Sequence, residues 1–545
     1  VHLRFGPLMP PDTNLGSFLK KLRTPETRLN TRRAPVSPSS RAPHAVVIGA
    51  GFGGLAAAIR LLVRGYRVTV VDRLDQAGGR ARVFRQDGFV FDAGPTLITA
   101  PFLFEELWDL AGRRMADDVT FVPIDPFYRI RFHDGSQFDY TGDRARMKSE
   151  IARFSPRDVE GWEKFLEHSE RIYRVGFEEL AHAPFSSPLD MARVVPDMVR
   201  LENWRSVIGL VSKYIEDEKM RQVFSFHPLL VGGNPYSTSS IYTLIAFLER
   251  EFGVWFAMGG TGEVVRGMVS LITELGGTVR LGAQVDEILV EDGRARGVRL
   301  RDGEVVRADV IVSNADSAWT YRRLVRPEHR RTWTDFRLDK LTRYSMSLFV
   351  WYFGTNKKYD DVAHHTIVLG PRYRELLEDI FDKKVLAEDF SLYLHRPSCT
   401  DASMAPEGHD CFYVLSPVPH LESRIEWTPQ KIEQYRRAIA ESLGESILPG
   451  LEEHVVSSRV LTPQGFLDDY LSVHGAAFGI EPVLHQSAYF RPHNESEDIE
   501  GLFLVGAGTH PGAGMPGVLS SARVLDTVVP DPERLDAYLR ERAGR

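Results

Sequence analysis

Val46-Val47-Ile48-Gly49-Ala50-Gly51-Phe52-Gly53-Gly54-Leu55 decides the fold of this chain. An apolar run meets glycines at the G-x-G-x-x-G spacing of Gly49, Gly51 and Gly54, and a helical pattern follows. The first glycine permits a tight turn, the second lets backbone approach a pyrophosphate, and the third lets helix pack on strand. The helix from Gly53 directs free N–H groups and a positive dipole end at phosphate. Leu55, Ile59 and Leu62 give it a buried stripe at helical spacing. The next strand, Arg67-Val68-Thr69-Val70-Val71-Asp72, ends in a carboxylate placed to hold a ribose hydroxyl, about 20 residues on. These features predict an α/β, Rossmann-like dinucleotide-binding fold.

A second glycine-rich turn, Leu504-Val505-Gly506-Ala507-Gly508-Thr509-His510-Pro511-Gly512-Ala513-Gly514, comes near the far end. Again an apolar strand runs into glycines and then a helix, with Pro516 suited to the helix's first turn. Two such loops so far apart predict one large cofactor held by non-adjacent segments, flavin adenine dinucleotide (FAD) rather than a nicotinamide. Gly78-Gly79-Arg80-Ala81-Arg82 supports that choice, because Arg80 offers a fixed guanidinium for charge-assisted hydrogen bonds to the pyrophosphate. Gly506 and Gly508 let backbone approach the ring system or the ribityl chain. The N-terminus of the last helix stabilises negative charge on a reduced flavin.

The composition is globular, with 43% hydrophobic and 26% charged residues among 545 and a net charge of −7, so no nucleic-acid partner is expected. No apolar run reaches the length of a spanning helix. Cys399 and Cys411 are not spaced as a metal site and read as small packed hydrophobes. Residues 1–44 are rich in proline and basic side chains and read as a flexible basic arm without a packed core. They fit an arm for anionic lipid, a transit-like segment or an over-long gene start. The expected FAD-binding domain is discontinuous, from residues 45–150, 278–318 and 487–530. Between its pieces lie a helical, aromatic-rich substrate region, 151–277, and a mixed-sheet substrate domain, 319–486. Strands are expected over Thr278–Val290, Arg294–Leu300 and Ala308–Ala315, with turns at Asp292-Gly293 and Asp302-Gly303. Leu348 to Phe353 reads as a buried strand.

The chain resembles the bacterial-type phytoene desaturases, carotenoid-forming members of the flavin amine oxidase-like superfamily, over about residues 45–530. The resemblance is carried by Phe91-Asp92-Ala93-Gly94-Pro95-Thr96, Ser225-Phe226-His227-Pro228-Leu229-Leu230-Val231-Gly232-Gly233-Asn234-Pro235 and Gly259-Gly260-Thr261-Gly262. It continues in Ala363-His364-His365-Thr366, Gly370-Pro371-Arg372-Tyr373-Arg374-Glu375 and the closing turn through Gly517. It implies FAD-dependent insertion of successive double bonds into phytoene and later carotene intermediates, ending at neurosporene or lycopene, with oxygen or a quinone taking the electrons. Together with the turns it implies cofactor contacts at Gly49, Gly51, Phe52, Gly53, Gly54, Asp72, Arg73, Gly79, Arg80, Gly94, Pro95 and Thr96. Val285, Asn314, Gly506, Gly508, Thr509, Pro516, Gly517 and Val518 complete that set. It also places a catalytic acid/base pair at Asp190 and Arg193, whose spacing puts them on one helix face.

His227, His364, His365, His474, His485 and His510 show no i, i+4 pairing beside a glutamate, so no metal site is expected. Most read as packing or hydrogen-bonding residues, with His510 set apart by its place in the flavin turn. Ile241, Leu244, Ile245, Leu248, Phe252 and Trp255 are the expected lining of a long apolar channel. A forty-carbon hydrocarbon prefers lipid to water by roughly 30 kcal/mol, at about 0.8 kcal/mol per CH₂. The resemblance therefore implies a protein bound peripherally to one membrane leaflet, on the cytoplasmic face of a bacterium, through a helical membrane-facing subdomain. Arg200 to Lys213 and the N-terminal arm are the expected lipid contacts. Alternatives are another flavoenzyme of the superfamily, such as a carotenoid isomerase, a diapophytoene desaturase, an amine oxidase or a protoporphyrinogen oxidase, or a prenyl-lipid carrier. The oligomeric state is left open.

Overall fold

The computed structural model describes residues 42–543. The arm expected at residues 1–44 therefore falls almost wholly outside the described residues, and its last residue, His44, already opens the first strand. A five-stranded parallel sheet is built from β1 (His44–Ile48), β2 (Arg67–Val71), β3 (Thr278–Arg280), β4 (Val310–Ser313) and β5 (Leu502–Leu504), in the order β5-β4-β1-β2-β3. This is the strand order of a dinucleotide-binding half-fold, reversing at β1. β1 alternates as a doubly covered strand should. Ala45 and Val47 pack on the helical side with Leu55, Ile59 and Leu62 of α1 (Phe52–Val63), while Val46 and Ile48 face Ile288, Val298 and Leu300. Those last residues belong to a three-stranded antiparallel meander, Val285–Glu291, Arg294–Leu300 and Val305–Arg307.

The strand expected over Thr278–Val290 is thus two strands in different sheets. Gly282, at φ +67°, makes the turn between them, a backbone conformation that costs glycine little.

A seven-stranded mixed sheet forms the second body of the molecule. Its order runs Val455–Leu461, Ser347–Thr355, Asp410–Val418, Leu392–His395, His365–Leu369, Tyr128–Phe132 and Gln137–Tyr140. All neighbours are antiparallel except His365–Leu369 beside Tyr128–Phe132. The last two strands come from within the stretch expected to serve the cofactor domain, residues 45–150, yet hydrogen-bond into this sheet.

Ser347–Thr355 is buried at every position. Phe349, Trp351 and Phe353 pack against Ile439 and Leu443 of the helix Pro429–Ser446, and Leu348, Val350 and Tyr352 turn to the opposite face. Covering both faces explains why this strand reads as a continuous apolar run. Three further helices matter below: α2 (Pro188–Arg200), α3 (Leu244–Phe252) and α4 (Met515–Val528). Among the described residues no helix is long and apolar enough to cross a membrane.

Candidate active site

The two glycine turns meet. A Cβ added to Gly53 would lie 2.6 Å from Asn314 Oδ1 and 3.1 Å from the Gly506 Cα, so the start of α1 and the end of β5 touch through backbone. Gly506, at φ +95°, is equally closed to a side chain, 2.6 Å from the same Asn314 oxygen. Gly49 is held at φ +96°, and Asn314 Nδ2 donates to its carbonyl at 3.4 Å. α1 and α4 both begin at glycines, Gly51 and Gly514, that offer no side-chain cap. Their first backbone N–H groups are therefore left for a ligand, as at anion-binding helix starts.

Both helix starts open on one cavity of about 550 Å³. It is lined by Gly49, Gly51, Phe52, Gly53, Asp72, Arg73, Gly79, Arg80, Gly94, Pro95, Thr96, Val285, Asn314, Gly506, Pro516, Gly517 and Val518. Three expected contacts stand behind this lining. A Cβ on Gly54 would run into the Gly49 carbonyl oxygen, so Gly54 serves helix–strand packing. Gly508 is closed off by Ser317 in the same way. Thr509 is buried, and its hydroxyl donates to the Pro492 carbonyl at 2.6 Å.

The polar groups at this end fit a dinucleotide. Asp72 accepts from the backbone N–H groups of Ala50 at 2.6 Å and Leu74 at 2.8 Å; burial raises its pKa and these bonds oppose the rise. Each oxygen retains acceptor capacity for a hydroxyl. Arg80 donates to Ser472 Oγ at 2.6 Å, while its buried Nε has no hydrogen-bond partner among the described residues. Burial lowers its pKa and the nearby Asp316 carboxylate opposes that. A buried guanidinium with a spare donor is the partner a diphosphate requires.

The expected catalytic pair lies elsewhere. Asp190 caps α2: its Oδ2 accepts from the Ser187 N–H and hydroxyl, each at 2.9 Å, in a capping box. Burial pushes its pKa up, the Ser187 and Ser186 hydrogen bonds and Arg193 together outweigh it, and the net shift is downward. Arg193 stands 3.6 Å from it with its side chain 69% exposed. Neither residue lines the cavity; Met191, Val194, Asp197 and Met198 of α2 do. In this structure the Asp190 carboxylate serves the helix start and does not reach the cavity.

Of the expected channel residues, Ile241, Leu244, Ile245 and Leu248 line the cavity, whereas Phe252 and Trp255 pack beside Phe102 and Ile98. Leu348, Val350, Ile367 and Leu369 of the seven-stranded sheet also line the cavity, with Met346 just ahead of the Ser347–Thr355 strand; the sequence marks Leu348 to Phe353 as a buried strand but not as cavity wall. His510 lines the cavity too; its Nε2 is 2.9 Å from the Leu180 carbonyl, and burial pulls its pKa down to about 4. His364, His365 and His395 come together in the core, an arrangement that spacing along the chain could not reveal. His365 and His395 are thirty residues apart yet face each other across antiparallel strands.

Glycine cradle, spare guanidinium and apolar chamber define an oxidoreductase that clasps a dinucleotide at both ends of its chain. The chain belongs to the flavin containing amine oxidoreductase family, whose model matches residues 52–524. Within it the chain belongs to the phytoene desaturases. It is 50% identical to the neurosporene-forming phytoene desaturase of Cereibacter sphaeroides, over 92% of this chain and 97% of that one. It is 51% identical to the lycopene-forming phytoene desaturase of Pseudescherichia vulneris, over 89% of this chain and 98% of that one. Among solved structures, a putrescine oxidase double mutant shares the fold, with a TM-score of 0.60 at 15% identity over 90% of this chain and 99% of that chain. The protein is an FAD-dependent oxidoreductase.

Proposed function

We propose that this chain dehydrogenates phytoene in carotenoid biosynthesis, inserting successive double bonds to form neurosporene or lycopene. The observation that carries this reading is one cavity that is a backbone cradle at one end and a hydrocarbon-lined chamber at the other. Bound FAD supplies the two-electron oxidant. The protein's own part is positioning, exclusion of water and removal of a proton. Leu348, Val350, Ile367 and Leu369 of the sheet line the same cavity as Ile241, Leu244, Ile245 and Leu248, giving a polyene apolar contact.

Substrate arrives from one leaflet through α2. Its inner face lines the cavity with Met191, Val194 and Met198, while Leu189, Val195, Val199 and the neighbouring Trp204 are exposed on the outside, Val199 and Trp204 at 62%. Arg193 and Arg200, both 69% exposed, flank these apolar groups. The turn Ala488–Phe490 packs on the same helix and adds Phe490 to the surface. An amphipathic helix with arginines beside an apolar strip suits a headgroup boundary. Lys213, at the far end of the expected lipid segment, is paired with Glu202, as Arg193 and Arg200 are with Asp190 and Asp197. Oxygen or a quinone takes the electrons.

The test is anaerobic turnover in phytoene-loaded liposomes, with and without quinone, followed by product separation. Longer conjugated chromophores are expected, and unchanged phytoene would end the reading. For docking, the protein should sediment with anionic vesicles, and Val199→Asp should leave it in the supernatant.

A further inference from the structure

In an apolar stretch of the cavity wall two phenols, Tyr393 and Tyr413, reach the lining. Their hydroxyls meet at Thr96, whose Oγ1 is 2.8 Å from Tyr413 OH and 3.2 Å from Tyr393 OH. The Tyr393 hydroxyl oxygen is 2.7 Å from His365 Nδ1. His365 Nδ1 is in turn 3.4 Å from His395 Nδ1, and His395 Nε2 stands 3.8 Å from Asp92 Oδ2. One nitrogen from each of His364, His365 and His395 lies within 4.8 Å of the others. A single water spans such a gap, since two hydrogen bonds of about 2.8 Å meeting at the water's angle reach roughly 4.5 to 5 Å.

His364 Nδ1 is 2.6 Å from Thr400 Oγ1, and both residues line a second cavity. Asp125, Arg129 and Asp360 also line it, and the Asp360 side chain is 90% exposed. A polar seam therefore runs from the substrate chamber through the sheet to the surface. Along it Asp92 Oδ2 and the Nε2 atoms of all three histidines are buried without a hydrogen-bond partner among the described residues. Leaving such groups unpaired costs about 1–3 kcal/mol each, which points to a use for them.

We propose that this seam is the proton exit of the desaturation reaction: Tyr393 meets the proton at the cavity wall, and His365, His395 and His364 pass it to the second cavity. The proposal rests on the desaturase reading above. Each new double bond breaks two C–H bonds. One hydrogen leaves with both bonding electrons to the flavin oxidant; the other leaves as a proton, and its electron pair becomes the π bond. An apolar chamber offers that proton no solvation. The Tyr393 oxygen accepts it as the phenol's own proton passes to His365 Nδ1, so the phenol ends neutral and the charge sits on imidazole. It then moves to His395, beside the Asp92 carboxylate, and by way of His364 and Thr400 to water. Burial lowers the pKa of all three histidines, so each ring keeps a lone pair at rest. Tyr393 is the catalytic group in this scheme; the histidines act through it.

The experiment uses full-length flavin-loaded protein mixed anaerobically with phytoene-loaded vesicles, with flavin bleaching followed by stopped flow. Bleaching of the wild type tests the desaturase reading by itself, and the variants then test the seam. His364→Ala and Tyr393→Phe should each slow bleaching on the order of 10- to 100-fold at unchanged flavin content, the lower range for positioned proton transfer. Imidazole in the buffer should restore most of the rate of His364→Ala, reached through the second cavity, and none of that of Tyr393→Phe. A packing role would give no such rescue. Bleaching of either variant within about twofold of the wild type, far below what positioned proton transfer contributes, overturns the proposal, and so does His364→Ala that imidazole leaves slow. One equivalent of zinc per chain, lost in His395→Gln, overturns it too, because a coordinated imidazole has no lone pair to pass a proton. If Tyr393→Phe loses its flavin, Thr400→Val takes its place: a slowed rate supports the seam and a wild-type rate refutes it.

Discussion

At the glycine end of the central cavity the wall is backbone, and at the hydrocarbon end it is side chain. Gly53 and Gly506 approach so closely that neither tolerates a Cβ, whereas Leu348 and Val350 reach the chamber as alternate residues of one strand. The first kind of wall fails abruptly when an atom is added, because carbonyls and amides cannot move aside. The second responds in proportion to volume and leaves the cofactor in place.

The largest effect is expected from Gly54→Ala, whose methyl group would overlap the Gly49 carbonyl. Overpacking against backbone should cost about 3 kcal/mol or more and yield colourless protein, read by the unfolding midpoint and by flavin absorbance. A yellow, stable variant would erase the contrast. Leu348→Trp should instead keep flavin content while cutting turnover by about tenfold or more, since displacing substrate by an ångström is that expensive. Loss of flavin along with turnover would show that the two walls are not independent.

Asp92, buried outside the cavity lining beside Thr261 and His395, extends the comparison to pH. Burial pushes its pKa up to about 6 from a usual value near 3.8, opposed by hydrogen bonds from Thr261. The folded state therefore binds the proton more tightly than the unfolded chain. The contribution is greatest below the usual carboxylate range and is lost as pH rises towards about 6. Melting temperature should accordingly fall across that window in the wild type, and Asp92→Asn should flatten the slope. The smallest effect belongs to Asp190→Ala: about 1 kcal/mol of stability from the lost helix cap, with turnover nearly unchanged. A collapse of turnover at constant stability would return Asp190 to the chemistry.

The same contrast decides what could be read in the sequence. Glycine spacing states a backbone requirement directly, so the cradle from Gly49 to Gly53, Asp72, Arg80 and the Gly506 turn was legible, as was the doubly covered strand around Trp351. Asp190 and Arg193 show where legibility stops. Their spacing fixes a shared helix face but not which side chains of α2 reach the cavity, and Met191, Val194, Asp197 and Met198 are the ones that do. Strand pairing was hidden altogether: the Tyr128–Phe132 strand joins the second sheet, and His395 reaches His365, through hydrogen bonds between segments distant in the chain.

The alternation along Ser347–Thr355 has one more consequence. Because Phe349, Trp351 and Phe353 anchor the strand from behind while Leu348 and Val350 contour the chamber, foldability and substrate fit are written in different letters of the same word. A lineage is therefore free to deepen or shorten its chamber one letter at a time, and so to change where a polyene stops, without disturbing the helix that keeps the wall upright.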